Sequence, residues 1–328
     1  MLKVENLSTS YKTIDGDVRV IENVSLEIYE NEIFGIAGES GCGKTTLLRA
    51  LYDLVEFPLQ VDSGRIILSG EKDGQQYSYE TGDIRKSWWN NITYVPQAAQ
   101  SVLNPITPLK QHFLDSIPRS DRRKESKEQV LLRVSKYLEE LDLAPDLLEA
   151  YPFQLSGGMR QRVIIALATF MSPGVVLADE PTTALDVVVQ RGILMMLMRL
   201  QKQLKNTMVL VSHDMGVHYQ ITNRMGIMYS GSFVEMGETN RIFNDPIHPY
   251  TQMLVGALPR VGDKSARVGI PGRPPPLTNP PPGCRFAPRC PKVIDKCREE
   301  VPEMKEISSG RYAACHCLGE YAENLEVV

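Results

Sequence analysis

Residues 38–45 read GESGCGKT, between the apolar run IFGIA and the helix-forming run TLLRALYDLV. No other stretch constrains the fold as much. The spacing matches G-x-x-x-x-G-K-[ST], in which glycines let the backbone curl so that successive N–H groups cradle phosphate oxygens at a helix N-terminus. Gly38, Ser40, Gly41, Cys42, Gly43 and Thr46 would then line the cradle, Lys44 would reach the terminal phosphates, and the Thr45 hydroxyl would ligate Mg²⁺. The alternative is a plain glycine turn, and the strand–loop–helix context argues against it. Cys42 is read as a small packing side chain of this loop rather than as a nucleophile or a metal ligand.

The rest of the chain agrees with an α/β architecture. VRVIENVSLEI alternates in part, as a strand does, and GRIIL and NITYV are further strand-like pieces. VVLADE and TMVLVSHD are two more apolar strands, with a helix over about 186–205 between them. Strands alternating with helices predict a parallel sheet. A helical region is expected over about 98–170, where DRRKESKEQVLLRVSKYLEELDL sets charges opposite a Leu/Val face. MGIMYSGSFVEMG reads as a hairpin turning at Ser230 and Gly231. After the helix-like HPYTQMLVGALPR, composition shifts to GIPGRPPPLTNPPPG, an extended stiff linker, because proline fixes φ and removes an amide donor.

With 328 residues, 42% of them hydrophobic, the chain predicts one large domain plus an appendage. A net charge of −4 makes a nucleic-acid partner the less favoured class, local basic patches notwithstanding. The start MLKVENLSTSYKT lacks the apolar run of a signal peptide, and no stretch approaches the roughly 18 apolar residues a membrane span needs. A soluble, cytosolic chain is expected, with any membrane role supplied by a partner. One cysteine precedes residue 284 and five follow from there; in a reducing compartment such a cluster reads as metal ligands before disulfides.

VVLADEP carries the other half of a phosphate-transfer chemistry. Asp179 ends an apolar strand and would hold Mg²⁺ through its water shell, and Glu180 beside it would polarise an attacking water. Without the phosphate loop, an acidic strand end facing solvent would be the better reading. LSGGMRQR, residues 155–162, decides between them, because here the chain resembles the ATP-binding cassette family over nearly its whole length. The resemblance implies a P-loop NTPase cassette with a mainly parallel core sheet, an antiparallel β subdomain, a helical subdomain and a small metal-stapled C-terminal extension. It also implies residue roles. Tyr11 would stack on adenine, and Gln97 would sense the γ-phosphate, contact Mg²⁺ and connect to a membrane partner. The TALD loop ending at Asp186 would cross to an opposite subunit, and His213 would contact the γ-phosphate. Ser156, Gly157 and Gly158 open a helix, so their N–H groups form a second anion site. In this family that site serves the ATP held by another cassette.

AAQSVLNP after Gln97, together with HPYTQMLVGALP, the proline linker and GCRFAPRCP, resembles the ATPases of dipeptide and oligopeptide importers. The implied organisation is a nucleotide-binding domain over 1–258, a linker over 259–282 and a cysteine-rich module over 283–328. Two membrane permease subunits, a second ATPase (a related chain favoured over a second copy) and an extracytoplasmic binding protein are the implied partners. The implied location is the cytoplasmic face of the membrane. Nickel or oligosaccharide import is the alternative within transport, and a non-transport cassette ATPase the one outside it. Cys284, Cys290, Cys297 and Cys315 match the family extension, which can hold a [4Fe–4S] cluster. Their intervals of five, six and seventeen residues fit neither a zinc ribbon nor a ferredoxin run. Zinc is the alternative, then metal-free cysteines. Cys317 stands close enough to replace Cys315. The tail has too little apolar material to fold alone, so a metal is expected to act as its core.

Overall fold

Five-residue runs without alternation, IFGIA, VVLAD and TMVLV, are buried at every position, as strands covered on both faces must be. The computed structural model describes residues 1–97, 102–118, 121–122, 124–258 and 269–318. Residues 98–101 of the AAQSVLNP stretch, 259–268 of the linker and 319–328 of the tail lie outside them.

In chain order the elements begin with β1 (Leu2–Thr13), β2 (Gly16–Ile28), β3 (Ile33–Ala37), α1 (Lys44–Leu51), β4 (Leu59–Lys72), β5 (Gln75–Glu80) and β6 (Ile92–Val95). There follow α2 (Leu109–Ser116), α3 (Lys127–Glu140), α4 (Gly157–Thr169), β7 (Val175–Asp179), α5 (Val187–Leu204) and β8 (Thr207–Val211). The last are α6 (Met215–Ile221), β9 (Arg224–Tyr229), β10 (Ser232–Glu238), α7 (Thr239–Asn244), α8 (Pro249–Gly256), α9 (Lys296–Glu299), β11 (Lys305–Ser308) and β12 (Arg311–Ala313). The chain divides into two compact units. The first comprises Ile67–Val211 with Met1–Leu2 and Ile28–Ile33; the second comprises Lys3–Glu27, Phe34–Ile66 and the described residues from Ser212 onward.

In the first unit β6, β7 and β8 are parallel neighbours, with Ile92 opposite Val175 and Asp179 opposite Val211. β5 returns antiparallel along the end of β4, pairing Tyr79 with Leu68. The expected long amphipathic helix starts only at Lys127, because Ser126 and Gln129 form a capping box that fixes its N-terminus. Phe170, just past α4, meets Phe113 of α2 edge-on at 5.7 Å and lies under Arg133 of α3. That contact joins the three helices.

In the second unit the strand order is β11-β12-β10-β9-β3. β3 runs parallel to β9, and the remaining pairings are antiparallel. The expected hairpin forms between β9 and β10, where Ser230 and Gly231 both take positive φ (45° and 90°), as a two-residue hairpin turn requires.

The tail's apolar packing is shared with the rest of the second unit. Phe286 is 1% exposed and packs among Tyr229, Tyr250 and His248 at ring-centre distances of 5.2, 5.3 and 5.8 Å. Three tail arginines tie it further. Arg285 bonds Glu22 and the Ser230 carbonyl. Arg289 bonds Glu39, and Arg311 bonds Asp245 and the fully buried Glu235. β12 then pairs with β10, Ala313 opposite Glu235. The apolar material missing from the tail is supplied by the β9–β10 hairpin and α8, so the tail folds as part of the second unit.

Candidate active site

The phosphate loop belongs to the second unit. Gly38, at φ 153°, allows the chain to leave β3 against β9; a Cβ there would fall 2.1 Å from the Met228 carbonyl oxygen. Gly43, at φ 104°, precedes the first residue of α1. The Lys44 ammonium is buried and turns back over the loop, donating to the carbonyls of Gly38 (2.8 Å) and Glu39 (2.9 Å). Those bonds hold the loop curled around one positive charge. Ser40, Gly41 and Thr45 are exposed, whereas Cys42, Gly43 and Thr46 are buried. Burial pushes the Cys42 thiol up, against the pull of Lys44, as suits packing and not nucleophilic chemistry. Tyr11 of β1 brings its phenol oxygen to 3.4 Å from Thr46 Oγ1. It therefore stands beside the start of α1. The exposed His213, after β8, belongs to the same unit.

The carboxylates belong to the first unit. Asp179 is 1% exposed at the last position of β7, and its Oδ2 accepts the Tyr94 hydroxyl at 2.8 Å. Glu180 follows with φ 46°, a backbone region that costs a non-glycine residue about 1 kcal/mol or more. Its own N–H donates to the Val211 carbonyl at 2.9 Å, which holds the turn. Two donors meet its Oε2: the Thr183 hydroxyl at 2.6 Å and the Gln97 amide at 3.3 Å. Thus Gln97 from one motif and Asp179 and Glu180 from another form one polar cluster at the end of the parallel strands. Tyr94 and Thr183 complete it. Sequence reasoning missed the Asp179 contact of Tyr94, although its place on β6 beside β7 was a usable signal.

Ser156 is the N-cap of α4, its hydroxyl accepting the Met159 N–H at 3.2 Å. Ser156 and Gly157 are exposed at that helix start. Gly158 has a different role: a Cβ there would fall 2.5 Å from Val189 Cγ1. The Asp186 carboxylate caps α5, accepting N–H groups of Val188 (3.0 Å) and Val189 (2.9 Å). The signature glycines and the TALD loop are therefore packed together through the first turn of α5.

The tail cysteines lie near one another. Burial raises the thiols of Cys284, Cys290 and Cys315, the last to about 12. Neighbouring sulfurs add to this: Cys297 and Cys290 act on Cys284, Cys297 and Cys317 on Cys290, and Cys317, Cys284 and Cys290 on Cys315. Cys284 N–H also donates to the Cys297 carbonyl at 2.8 Å, and none of the six cysteines of the chain is joined in a disulfide. Among the described residues, no three His, Cys, Asp or Glu side chains gather closely enough to hold a single metal ion.

A sequence profile described as "ABC transporter" matches residues 21–183, and one described as "Oligopeptide/dipeptide transporter, C-terminal region" matches residues 234–297. The dipeptide transport ATP-binding protein DppD of Caldanaerobacter subterraneus subsp. tengcongensis is 37% identical over 98% of this chain and 98% of its own length. The chain belongs to the ABC transporter family. It is an ATPase of the cassette type. DppD of Escherichia coli is 34% identical over 96% of each chain. Among solved structures, the ATP-binding cassette MJ0796 bound to ADP and Pi, a dimer in a post-hydrolysis state, matches with a TM-score of 0.58 and 27% identity. That match covers 73% of this chain and 99% of MJ0796. The C-terminal profile ends at Cys297, so Cys315 and Cys317 lie beyond it. No described helix of the cassette is long and apolar enough to cross a membrane.

Proposed function

We infer that this ATPase powers the import of dipeptides or oligopeptides through a separate membrane permease, working from the cytoplasmic face. The cluster of Gln97, Asp179, Glu180 and Thr183 at the end of β7 carries the hydrolytic reading. The peptide reading is supported by relatives whose names are those of dipeptide transport proteins.

In this reading Tyr11 stacks on adenine, the loop over residues 38–46 cradles the phosphates, and Lys44 exchanges its carbonyl partners for phosphate oxygens. Thr45, Gln97 and Asp179 would hold Mg²⁺, an oxygen-seeking ion that neutralises phosphate charge. Glu180, oriented by Thr183 and Gln97, takes a proton from the attacking water. His213 contacts the γ-phosphate. A second cassette, a related chain or a copy, offers Ser156, Gly157 and Gly158 to the same nucleotide. Beside them Val187 and Val188 are 80% and 82% exposed, apolar surface suited to such a partner.

The tail reading is that Cys284, Cys290, Cys297 and Cys315 hold a [4Fe–4S] cluster, with Cys317 adjoining. Its contribution would be structural, cross-linking segments that already pack on Phe286. Metal analysis of protein purified without oxygen is expected to give about four irons per chain with absorbance near 400 nm. One colourless zinc would replace the cluster assignment.

Reconstitution with the permease in proteoliposomes tests the transport reading. ATP hydrolysis is expected to rise when the extracytoplasmic binding protein carries a short peptide. Stimulation by nickel- or oligosaccharide-loaded binding protein, and not by peptide, would overturn the substrate assignment.

A further inference from the structure

Glu39 is the second residue of the phosphate loop, and phosphate binding gives no reason for a carboxylate there. An unpaired anion beside a bound triphosphate would oppose it. The structure gives this carboxylate a partner from the far end of the chain. Arg289 of the tail bonds both Glu39 oxygens, Nη1 to Oε2 at 2.7 Å and Nη2 to Oε1 at 3.0 Å. This is the two-point geometry in which guanidinium binds carboxylate most strongly.

The pair is built. The Arg289 side chain is 4% exposed and that of Glu39 is 27% exposed. The remaining Arg289 donors reach the Pro271 carbonyl at 2.8 Å and the Tyr229 hydroxyl at 3.2 Å, with the guanidinium carbon 5.7 Å from the centre of the Tyr229 ring. Glu39 is held at its backbone as well, its N–H donating to the Tyr250 hydroxyl at 3.1 Å. Its carbonyl accepts the Lys44 ammonium, so the residue gripped by Arg289 also orients the lysine read as a phosphate ligand. Arg289 directly precedes Cys290, and Phe286 fixes the same short turn in the aromatic cluster. Pro274 and Pro275 of the proline-rich segment line a cleft with Glu39 and Cys42. That segment lies against the loop as a wall, beyond its expected role as a linker.

We propose that Arg289 is a positioning residue for nucleotide binding, neutralising and tethering Glu39 so that the phosphate loop keeps its ATP-accepting shape only while the cysteine-rich tail is docked. The inference rests on reading the loop over residues 38–45 as the ATP site. It makes the tail a determinant of ATP affinity, acting through Glu39.

MgATP binding to the full chain, followed by titration calorimetry, tests this in two backgrounds. Arg289→Met is expected to weaken binding about tenfold in the wild-type background, and less than about twofold when Glu39→Gln is already present, the non-additivity of directly coupled residues. Arg289→Lys, which keeps the charge and a single bond, is expected to recover most of the loss. Equal losses in both backgrounds would mean that Arg289 acts only through general stability and would overturn the proposal, as would no loss in either. Should Arg289→Met fail to fold, Arg289→Lys in the same two backgrounds decides, with a loss of about threefold expected only where Glu39 is intact. Lys44→Ala is measured alongside. If it binds MgATP as the wild type does, the phosphate-loop reading itself has failed, and the positioning role falls with it.

Discussion

Glu180→Gln is expected to bind MgATP normally and to lower the hydrolytic rate by about 10²- to 10⁴-fold, the range for removing a positioned general base. The substitution changes almost nothing except proton affinity. A glutamine oxygen still accepts the Thr183 hydroxyl, now 2.6 Å from Oε2, and the positive φ of 46° is imposed by the same turn after β7. Binding and closure therefore persist while the chemical step stalls, so the variant is expected to accumulate as an ATP-bound dimer. Single-turnover hydrolysis and size-exclusion chromatography with MgATP read the two effects separately. Near-normal hydrolysis would move the base from Glu180 to another residue.

Phe286→Ala carries the largest expected effect on stability. Its ring is 1% exposed and touches three other rings, and truncating such a phenylalanine costs about 3–5 kcal/mol because the cavity collapses only in part. Denaturant unfolding of the full chain measures the loss. A change below about 1 kcal/mol would show that tail and hairpin are held together by other contacts, the three arginines first among them. The same variant loosens the turn that carries Arg289, so limited proteolysis is expected to cut first within the proline-rich segment.

The parts of this fold that were legible in the sequence are those whose information is local. GESGCGKT names its own turn through glycine positions, and Ser230–Gly231 names a hairpin. VVLAD and TMVLV declare double-sided burial by lacking alternation. The cluster of Gln97, Asp179 and Glu180 became visible only by resemblance, since 83 residues separate Gln97 from Glu180. Asp186 shows a subtler limit. A family motif drew attention to its role toward a partner, while the ordinary rule that aspartate caps helices already described its bonds to Val188 and Val189. The tail strands were not legible. KEIS and RYA are four and three residues long, too short for a period. They become strands because β10 offers an edge. Nor could spacing reveal that Arg289 meets Glu39 across 250 residues, because an arginine between proline and cysteine has the same local look whether it faces solvent or a half-buried carboxylate.

The pairing of β12 along β10 has a consequence for solubility. A strand of seven residues with Phe233, Val234 and Met236 buried would be a sticky template if its outer side were bare, ready to recruit the same strand of another molecule. The tail closes that side and hands the boundary to β11, which is four residues long and begins with exposed Lys305 and Glu306. Short length and charge are what natural sheets use to discourage further addition. A chain cut short at the proline-rich segment would lose this protection, and its tendency to self-associate would rise even with every nucleotide-binding residue intact.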